Sequence, residues 1–252
     1  MSVNRREFIG AGFSALALLG VPADGREDKA GAETRAPAAQ PTRWAMAIDV
    51  RRCLELPGCV KCVAACNRAH NVPALDDARH EVKWVWKQRF EDLFPSSGAS
   101  LADAFKAKAI PALCNHCDNP PCVRVCPTQA TWKRADGVVM MDWHRCIGCR
   151  YCMAACPYGS RSFNWVDPRP RVAALNPDFP TRTKGVVEKC NLCEERLAAG
   201  KPPACVEVCP QKALVFGNLN DPDSALRSVL RSRFSVQRKP ELGTRPQIYY
   251  VI

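Results

Sequence analysis

No stretch of this sequence reaches the eighteen or so consecutive apolar residues that a membrane-spanning helix requires, so no span is predicted. It also lacks a GxGxxG run, a P-loop, a GxSxG elbow and HExxH, which weakens the common nucleotide-binding and hydrolase readings. No cysteine is followed by histidine, which excludes c-type haem attachment. Nor is the chain poor in core-forming residues: 47% are hydrophobic and 24% charged, as in ordinary globular proteins, and wholesale disorder is excluded. Its 252 residues suit one or two domains. Cysteine is what it has in excess, with sixteen.

The N-terminus reads as an address label. Asn4-Arg5-Arg6-Glu7-Phe8-Ile9 precedes an apolar stretch to Val21 and then Pro22-Ala23, the order of a signal peptide over residues 1–23. The paired arginines, with Phe8 two positions on, resemble the twin-arginine signal, whose pathway exports folded proteins. Gly10, Gly12, Gly20 and Pro22 make the rival reading, a buried helix, a poor one. Residues 24–41, rich in Gly, Ala and Pro, read as a flexible spacer.

An exported, cysteine-rich chain would ordinarily be a disulfide framework. The spacing argues otherwise. Group one is Cys53, Cys59, Cys62 and Cys66; group two is Cys114, Cys117, Cys122 and Cys126. Group three is Cys146, Cys149, Cys152 and Cys156, and group four is Cys190, Cys193, Cys205 and Cys209. Group three is C-x2-C-x2-C-x3-C-P, the bacterial ferredoxin run. Group two widens one gap and group four widens it further, and both also end in Cys-Pro.

A cubane cluster offers four iron corners, each needing a thiolate. A C-x2-C-x2-C loop can curl three of them around one cube. The next residues turn helical and carry the fourth cysteine away to the partner cluster, and proline breaks the chain away after it. Structural zinc uses C-x2-C pairs without triplets and Cys-Pro, and disulfides across two residues are strained. All sixteen cysteines are therefore candidate ligands of iron in four 4Fe-4S clusters. Five residues separate Cys53 from Cys59, so a second reading of group one stays open, with Cys53 idle and three clusters in total.

The predicted fold is α+β: two interlocked ferredoxin-like units with long irregular loops. Groups two and three make an inserted unit at 111–187, with a strand at Val138 to Met141. Groups one and four make a split unit at 42–110 and 188–220. Residues 221–252 should add a helix and a strand. Asp221 is expected to cap that helix with Pro222 at its first position, and Leu226, Val229, Leu230 and Phe234 form its apolar stripe.

A formal charge of +11 invites a nucleic-acid reading. The leader holds Arg5, Arg6 and Glu7, so about +10 remains, and four oxidised clusters with their thiolates at about −2 each bring the total near +2. No nucleic-acid partner is therefore expected. Lys61, Arg145, Arg150 and Lys189, all close to cysteines, are candidates for offsetting cluster charge. His70, His116 and His144 lie near ligands but are assigned no metal. Trp132, Trp143, Tyr151 and Trp165 are read as core that shields the clusters.

Four cysteine groups in this order resemble the electron-transfer subunits of the complex iron–sulfur molybdoenzyme class. The stretches CLELPGCVKCVAACNRAHNVP, CNHCDNPPCVRVCPTQATWKR, MMDWHRCIGCRYCMAACPYGSRSFNW and NPDFPTRTKGVVEKCNLC, with the ending RKPELGTRPQIYY, resemble the DsrO family more particularly. That resemblance implies a periplasmic electron-transfer subunit with no substrate site of its own. Its implied neighbours, in a DsrMKJOP-type complex of dissimilatory sulfur metabolism, are a NrfD-type integral membrane subunit and a periplasmic haem c subunit, with membrane association through partners only. It also implies four ligand sets: Cys53, Cys59 and Cys62 with Cys209; Cys190, Cys193 and Cys205 with Cys66; Cys114, Cys117 and Cys122 with Cys156; and Cys146, Cys149 and Cys152 with Cys126. Two rival readings remain. One is the same module attached to a molybdopterin reductase for tetrathionate or polysulfide; the other is an exported zinc- or disulfide-stabilised binding protein.

Overall fold

The computed structural model describes residues 41–95 and 99–252. The leader read at 1–23 and nearly all of the spacer at 24–41 lie outside the described residues. Ten strands follow one another: β1 (Trp44–Asp49), β2 (Val85–Arg89), β3 (Ala109–Leu113), β4 (Thr131–Lys133), β5 (Val139–Met141), β6 (Ser162–Phe163), β7 (Val187–Glu188), β8 (Leu214–Asn218), β9 (Ser235–Val236) and β10 (Ile248–Val251). The helices are short: α1 (Val50–Leu54), α2 (Lys61–Ala69), α3 (Phe90–Leu93), α4 (Ala99–Ala104), α5 (Pro121–Arg124), α6 (Tyr151–Ala154), α7 (Glu194–Ala198), α8 (Ala204–Glu207) and α9 (Ala225–Ser232). The fold is α+β and ferredoxin-like, and the expected strand after group two is β5.

One sheet, in the order β8-β1-β10-β9, joins the two ends of the described residues. β1 runs antiparallel to β8 and parallel to β10, with Met46 opposite Ile248 and Asp49 opposite Val251. Its sequence suits a strand covered on both faces. Met46 and Ile48 point into the main core, and Ala45 and Ala47 point the other way, toward Leu226 of α9. The small alanines let α9 approach closely, and Gly217 of β8 extends that surface. A Cβ there would lie 3.1 Å from the Leu226 Cβ. The remaining strands form three antiparallel pairs, β2-β3, β4-β5 and β6-β7.

The C-terminal helix differs from expectation. Its cap is Ser224, whose hydroxyl accepts from the Arg227 N–H, and α9 starts at Ala225. Asp221 instead closes the preceding turn, accepting from the Asp223 N–H at 2.9 Å. Asp-Pro carries the signature of a turn as well as of a helix start, and here the turn won. Leu226, Val229 and Leu230 pack toward the sheet, whereas Phe234 lies past the helix end and is exposed.

Glu188 on β7 ties distant segments together. It accepts from Trp84 Nε1–H at 2.7 Å and from Asn164 Nδ2–H at 2.5 Å, and it pairs with Arg182 at 2.7 Å with both side chains fully buried. Arg182 also donates to the carbonyls of His70 and Asn71, at the end of the group-one helix α2. Breaking one side of a buried pair strands the other charge, at about 3–5 kcal/mol. Arg182→Met is therefore expected to lower the thermal midpoint of the holo-protein clearly, and Arg182→Met with Glu188→Leu to lower it less. A single variant that melts like the wild type would contradict this reading.

Candidate metal centres

In groups two, three and four, one cysteine sits at the start of a short helix: Cys122 in α5, Cys152 in α6 and Cys205 in α8. The loops before them curl through left-handed backbone at His116, Gly148, Arg150, Leu192 and Cys193. Gly148 is required as glycine twice over. Its φ is +70°, and a Cβ would meet the Gly185 carbonyl oxygen at 2.3 Å. Pro121 at the first turn of α5 suits a helix start because its missing N–H would have no partner there.

No two of the sixteen cysteines are joined in a disulfide. The fold gathers them in fours, each four drawn from two groups. Cys53, Cys59, Cys62 and Cys209 line one cavity with about 380 Å³ of empty space, partly open to solvent. Cys114, Cys117, Cys122 and Cys156 line a second of about 340 Å³. Cys126, Cys146, Cys149 and Cys152 line a third of about 270 Å³. Cys66, Cys190, Cys193 and Cys205 face one another in the buried core, close enough for charge on the last three to act on Cys66. Backbone amides point at several sulfurs: Leu192 N–H at Cys190 Sγ, Ala204 N–H at Cys193 Sγ, Ala213 N–H at Cys209 Sγ and Val187 N–H at Cys146 Sγ, at 3.3–3.5 Å.

The four sets neighbour one another in one order. Cys62 acts electrostatically on Cys205, Cys114 on Cys190, and Cys122 on Cys152. The Cys53 and Cys126 sets thus lie at the two ends, where several of their thiols are part-exposed, and the Cys66 and Cys114 sets lie between.

Burial dominates the chemistry of these thiols. It pushes Cys62 up to about 11 and Cys117 to about 12, and it drives Cys66, Cys190 and Cys205 up as well. Cys126 goes the other way. Burial alone would raise it, but N–H donors of Thr131, Thr128 and Ala130 and the Thr128 hydroxyl outweigh burial. At the Cys53 end, Lys87 Nζ lies 3.4 Å from Cys53 Sγ. No signal near a cysteine in sequence marks Lys87.

Of the cations expected beside the clusters, Lys61, Arg145 and Arg150 are exposed, and Arg150 lies over the Phe163 and Trp165 rings. Lys189 alone is buried, at 1% exposure, donating Nζ–H to the carbonyls of Val139 and Cys190. Sequence reasoning missed Arg161, which is 5% exposed, donates to Thr131 Oγ1 at 2.8 Å and to Met141 Sδ at 3.6 Å, and lies close enough to Cys122 and Cys152 for its charge to act on them. Its charge is held against the burial that opposes it by Cys122, Cys152 and Cys114. Burial pulls Lys189 below the ordinary lysine value, with Cys114 and Cys190 pulling it back up.

Of the histidines, His144 is exposed, and buried His116 accepts the Val139 N–H at 3.1 Å on Nδ1. His70 stacks on Trp84 with ring centroids 4.6 Å apart and lies 2.9 Å from Glu195. Burial would lower His70, but the Cys193 thiol and the Glu195 carboxylate beside it lift it to about 9. The aromatic residues correct an expectation. Trp143 packs against the cores, but Trp132, Tyr151 and Trp165 are 38%, 63% and 39% exposed and belong to none of the buried clusters.

The Cys114 cavity fits a polar, anionic occupant. Asn115 is 1% exposed on the wall of the Cys114 cavity, and neither its side-chain N nor its O has a hydrogen-bond partner. Buried amides without partners are costly. Arg161 on the same wall and Lys189 beside it are buried cations that no carboxylate pairs among the described residues, in contrast to Arg182. A cluster with its thiolates supplies the missing negative charge and the acceptors.

The sequence matches the family described as "4Fe-4S dicluster domain" over residues 105–170 and 175–219. It is 43% identical over 231 residues to an Hdr-like menaquinol oxidoreductase iron-sulfur subunit 1 from Archaeoglobus fulgidus, covering 82% of each sequence. It is 35% identical over 236 residues to the iron-sulfur cluster-binding subunit of a menaquinone reductase from Nitratidesulfovibrio vulgaris, covering 83% of this sequence and 88% of that one. Against a tetrathionate reductase subunit from Salmonella typhimurium it is 38% identical over 211 residues, covering 83% and 72%. Fold, thiol geometry and relatives define an iron–sulfur electron-transfer protein rather than a catalytic subunit. The protein belongs to the ferredoxin-like 4Fe-4S subunits of oxidoreductase complexes, the DsrO-like iron–sulfur subunits among them.

Thiols at about 11 and 12 are protonated near neutral pH, so iron can take Cys62 and Cys117 as thiolates only by displacing protons. Because the free state binds more protons than the loaded one, loading strengthens as pH rises. Reconstitution of the cluster-free chain with iron and sulfide is expected to release protons in a pH-stat and to be weakest at acid pH. Uptake indifferent to pH would contradict the thiol assignment.

Proposed function

We propose that the protein carries four 4Fe-4S clusters on the four thiol sets and passes single electrons along them, between a NrfD-type quinone-reactive membrane subunit and a periplasmic haem c subunit. The observation that carries this reading is the make-up of the sets, three thiols from one cysteine group and one from another in each cavity. That is the exchange of the fourth cysteine which two-cluster ferredoxins use. Cys53 lines its cavity beside Cys59, Cys62 and Cys209, which favours four clusters over three. When bound, the clusters supply one-electron redox chemistry. The polypeptide keeps them out of water, aims amides at their sulfurs and spaces them in a row.

The twin-arginine leader in residues 1–23 supports export to the periplasm with cofactors in place. No helix among the described residues is long and apolar enough to cross a membrane, so contact with a bilayer is assigned to partners. Relatives named for menaquinol and menaquinone support a quinone-linked membrane partner, and the DsrO resemblance supports a place in dissimilatory sulfur metabolism. A second reading, attachment to a molybdopterin reductase, is favoured by the tetrathionate reductase relative and by the 36% identity to a polysulfide reductase polypeptide from Wolinella succinogenes. Purifying the native complex decides between them. Co-elution with a polytopic membrane subunit and a haem c subunit is expected; a large molybdopterin subunit in their place would overturn the first reading. A colourless, zinc-loaded protein would overturn both.

Ligand exchange has its own test. Cys152→Ala and Cys126→Ala should damage the same cluster, and Cys53→Ser should weaken one cluster while three survive. Iron and acid-labile sulfide should be about sixteen per intact chain, four per cluster. About twelve, unchanged by Cys53→Ser, would decide for three clusters with Cys53 idle.

A further inference from the structure

The buried cations differ in what answers their charge. Arg182 has Glu188. Arg238 has no carboxylate among the described residues, but it lies over the Tyr158 ring and donates to the Tyr158 carbonyl. Arg161 and Lys189 have no carboxylate either; their side-chain donors go to a hydroxyl, backbone carbonyls and sulfur. Both face the same thiol set. Arg161 acts on Cys122 and Cys114, and Lys189 acts on Cys114 and Cys122. Arg161 also touches the neighbouring set through Cys152, and Lys189 the other neighbour through Cys190. The Cys114 set alone faces both, and the unpartnered Asn115 amide lines its cavity too.

The other three sets are placed differently. The Cys53 set has Lys87, which is part-exposed and therefore screened by water. Arg145 and Arg150, near the Cys146 set, are exposed. Beside the Cys66 set, His70 is met by the Glu195 carboxylate, which cancels local positive charge. Reduction adds an electron to a group that is already negative. A fixed cation in a water-poor interior stabilises that added charge, and so does a donor turned toward sulfur; both raise the reduction potential.

We propose that Arg161 and Lys189 are fixed counter-charges that make the centre at Cys114, Cys117, Cys122 and Cys156 the highest-potential centre of the four. An electron entering the protein comes to rest there, one step from the part-exposed Cys126 set. This inference rests on the cluster reading above. Neither residue is a ligand; both act by position.

The test is a potentiometric titration of the purified complex followed by electron paramagnetic resonance, with iron counted on the same samples. Cys117→Ser identifies the signal of the centre in question. In the intact protein that signal is expected to be reduced first. Arg161→Met and Lys189→Met should each weaken its reduction about tenfold, which for a one-electron couple is about 59 mV. Arg161→Lys and Lys189→Arg, which keep the charge, should restore most of it. Where a methionine variant fails to assemble, Asn115→Asp serves instead, since a negative charge on the same wall should lower the same potential with the cations untouched. A different signal reduced first, or a potential unmoved by every charge-changing variant at full iron content, overturns the inference. Iron well short of about sixteen per chain in the wild type overturns the cluster reading itself.

Discussion

The structure depends on one constraint: sixteen thiols must be taken out of water in fours, and each four must be assembled from distant parts of the chain. Cys209 joins a cavity whose other thiols lie at Cys53, Cys59 and Cys62, and Cys66 leaves its own group for the Cys190 set. A chain tied at such separations does not need long helices or wide sheets. Its longest described helix has nine residues, and three of its four sheets are two-stranded. Two-stranded ribbons are marginal alone; here the buried cysteines pack into the same apolar clusters as the strands.

The four-stranded sheet closes the arrangement. β1 precedes group one, β8 follows group four, and β10 lies near the C-terminus, yet the three are neighbours. Pairing β1 with both brings Cys53 and Cys209 to one place: α1, which carries Cys53, begins where β1 ends, and Asp49 N–H donates to the Ala213 carbonyl four residues past Cys209. The alanine face of β1 and the bare Gly217 then receive α9. Strand pairing outside the cysteine groups thus fixes where the thiols stand.

How much of this is legible in the sequence follows from which interactions are local. The cysteine groups can be read because ligating one centre demands close spacing along the chain. The α+β class follows from that spacing, and β5 from the apolar run beside it. The parallel pairing of Met46 with Ile248 cannot be read, because nothing local specifies a partner two hundred residues away. The expected start of α9 falls three residues early because Asp221-Pro222 is genuine turn chemistry displaced from the helix it precedes. Proximity to a cysteine is a poor guide to the charges that surround the thiols. Lys61, Arg145 and Arg150 sit beside cysteines and face water, whereas Arg161, five residues past Cys156, reaches Cys122 and Cys152 across the fold.

On the proposed reading, charge beside the thiol sets can tune the potentials of the centres without altering their ligands. On that reading, the sixteen cysteines set the number and spacing of the centres and leave little room for change, since each loss would remove a corner. Charge in the next layer is free to vary. A buried cation costs several kcal/mol when nothing answers it, so Arg161 and Lys189 are tolerable only beside lasting negative charge. Arg182, by contrast, is answered by Glu188, and Arg238 by the Tyr158 ring and carbonyl. The stability of the folded chain and the potential of its centres are then coupled through Arg161 and Lys189. On that reading, loss of the centre strands the cation, and loss of the cation lowers the potential of the centre.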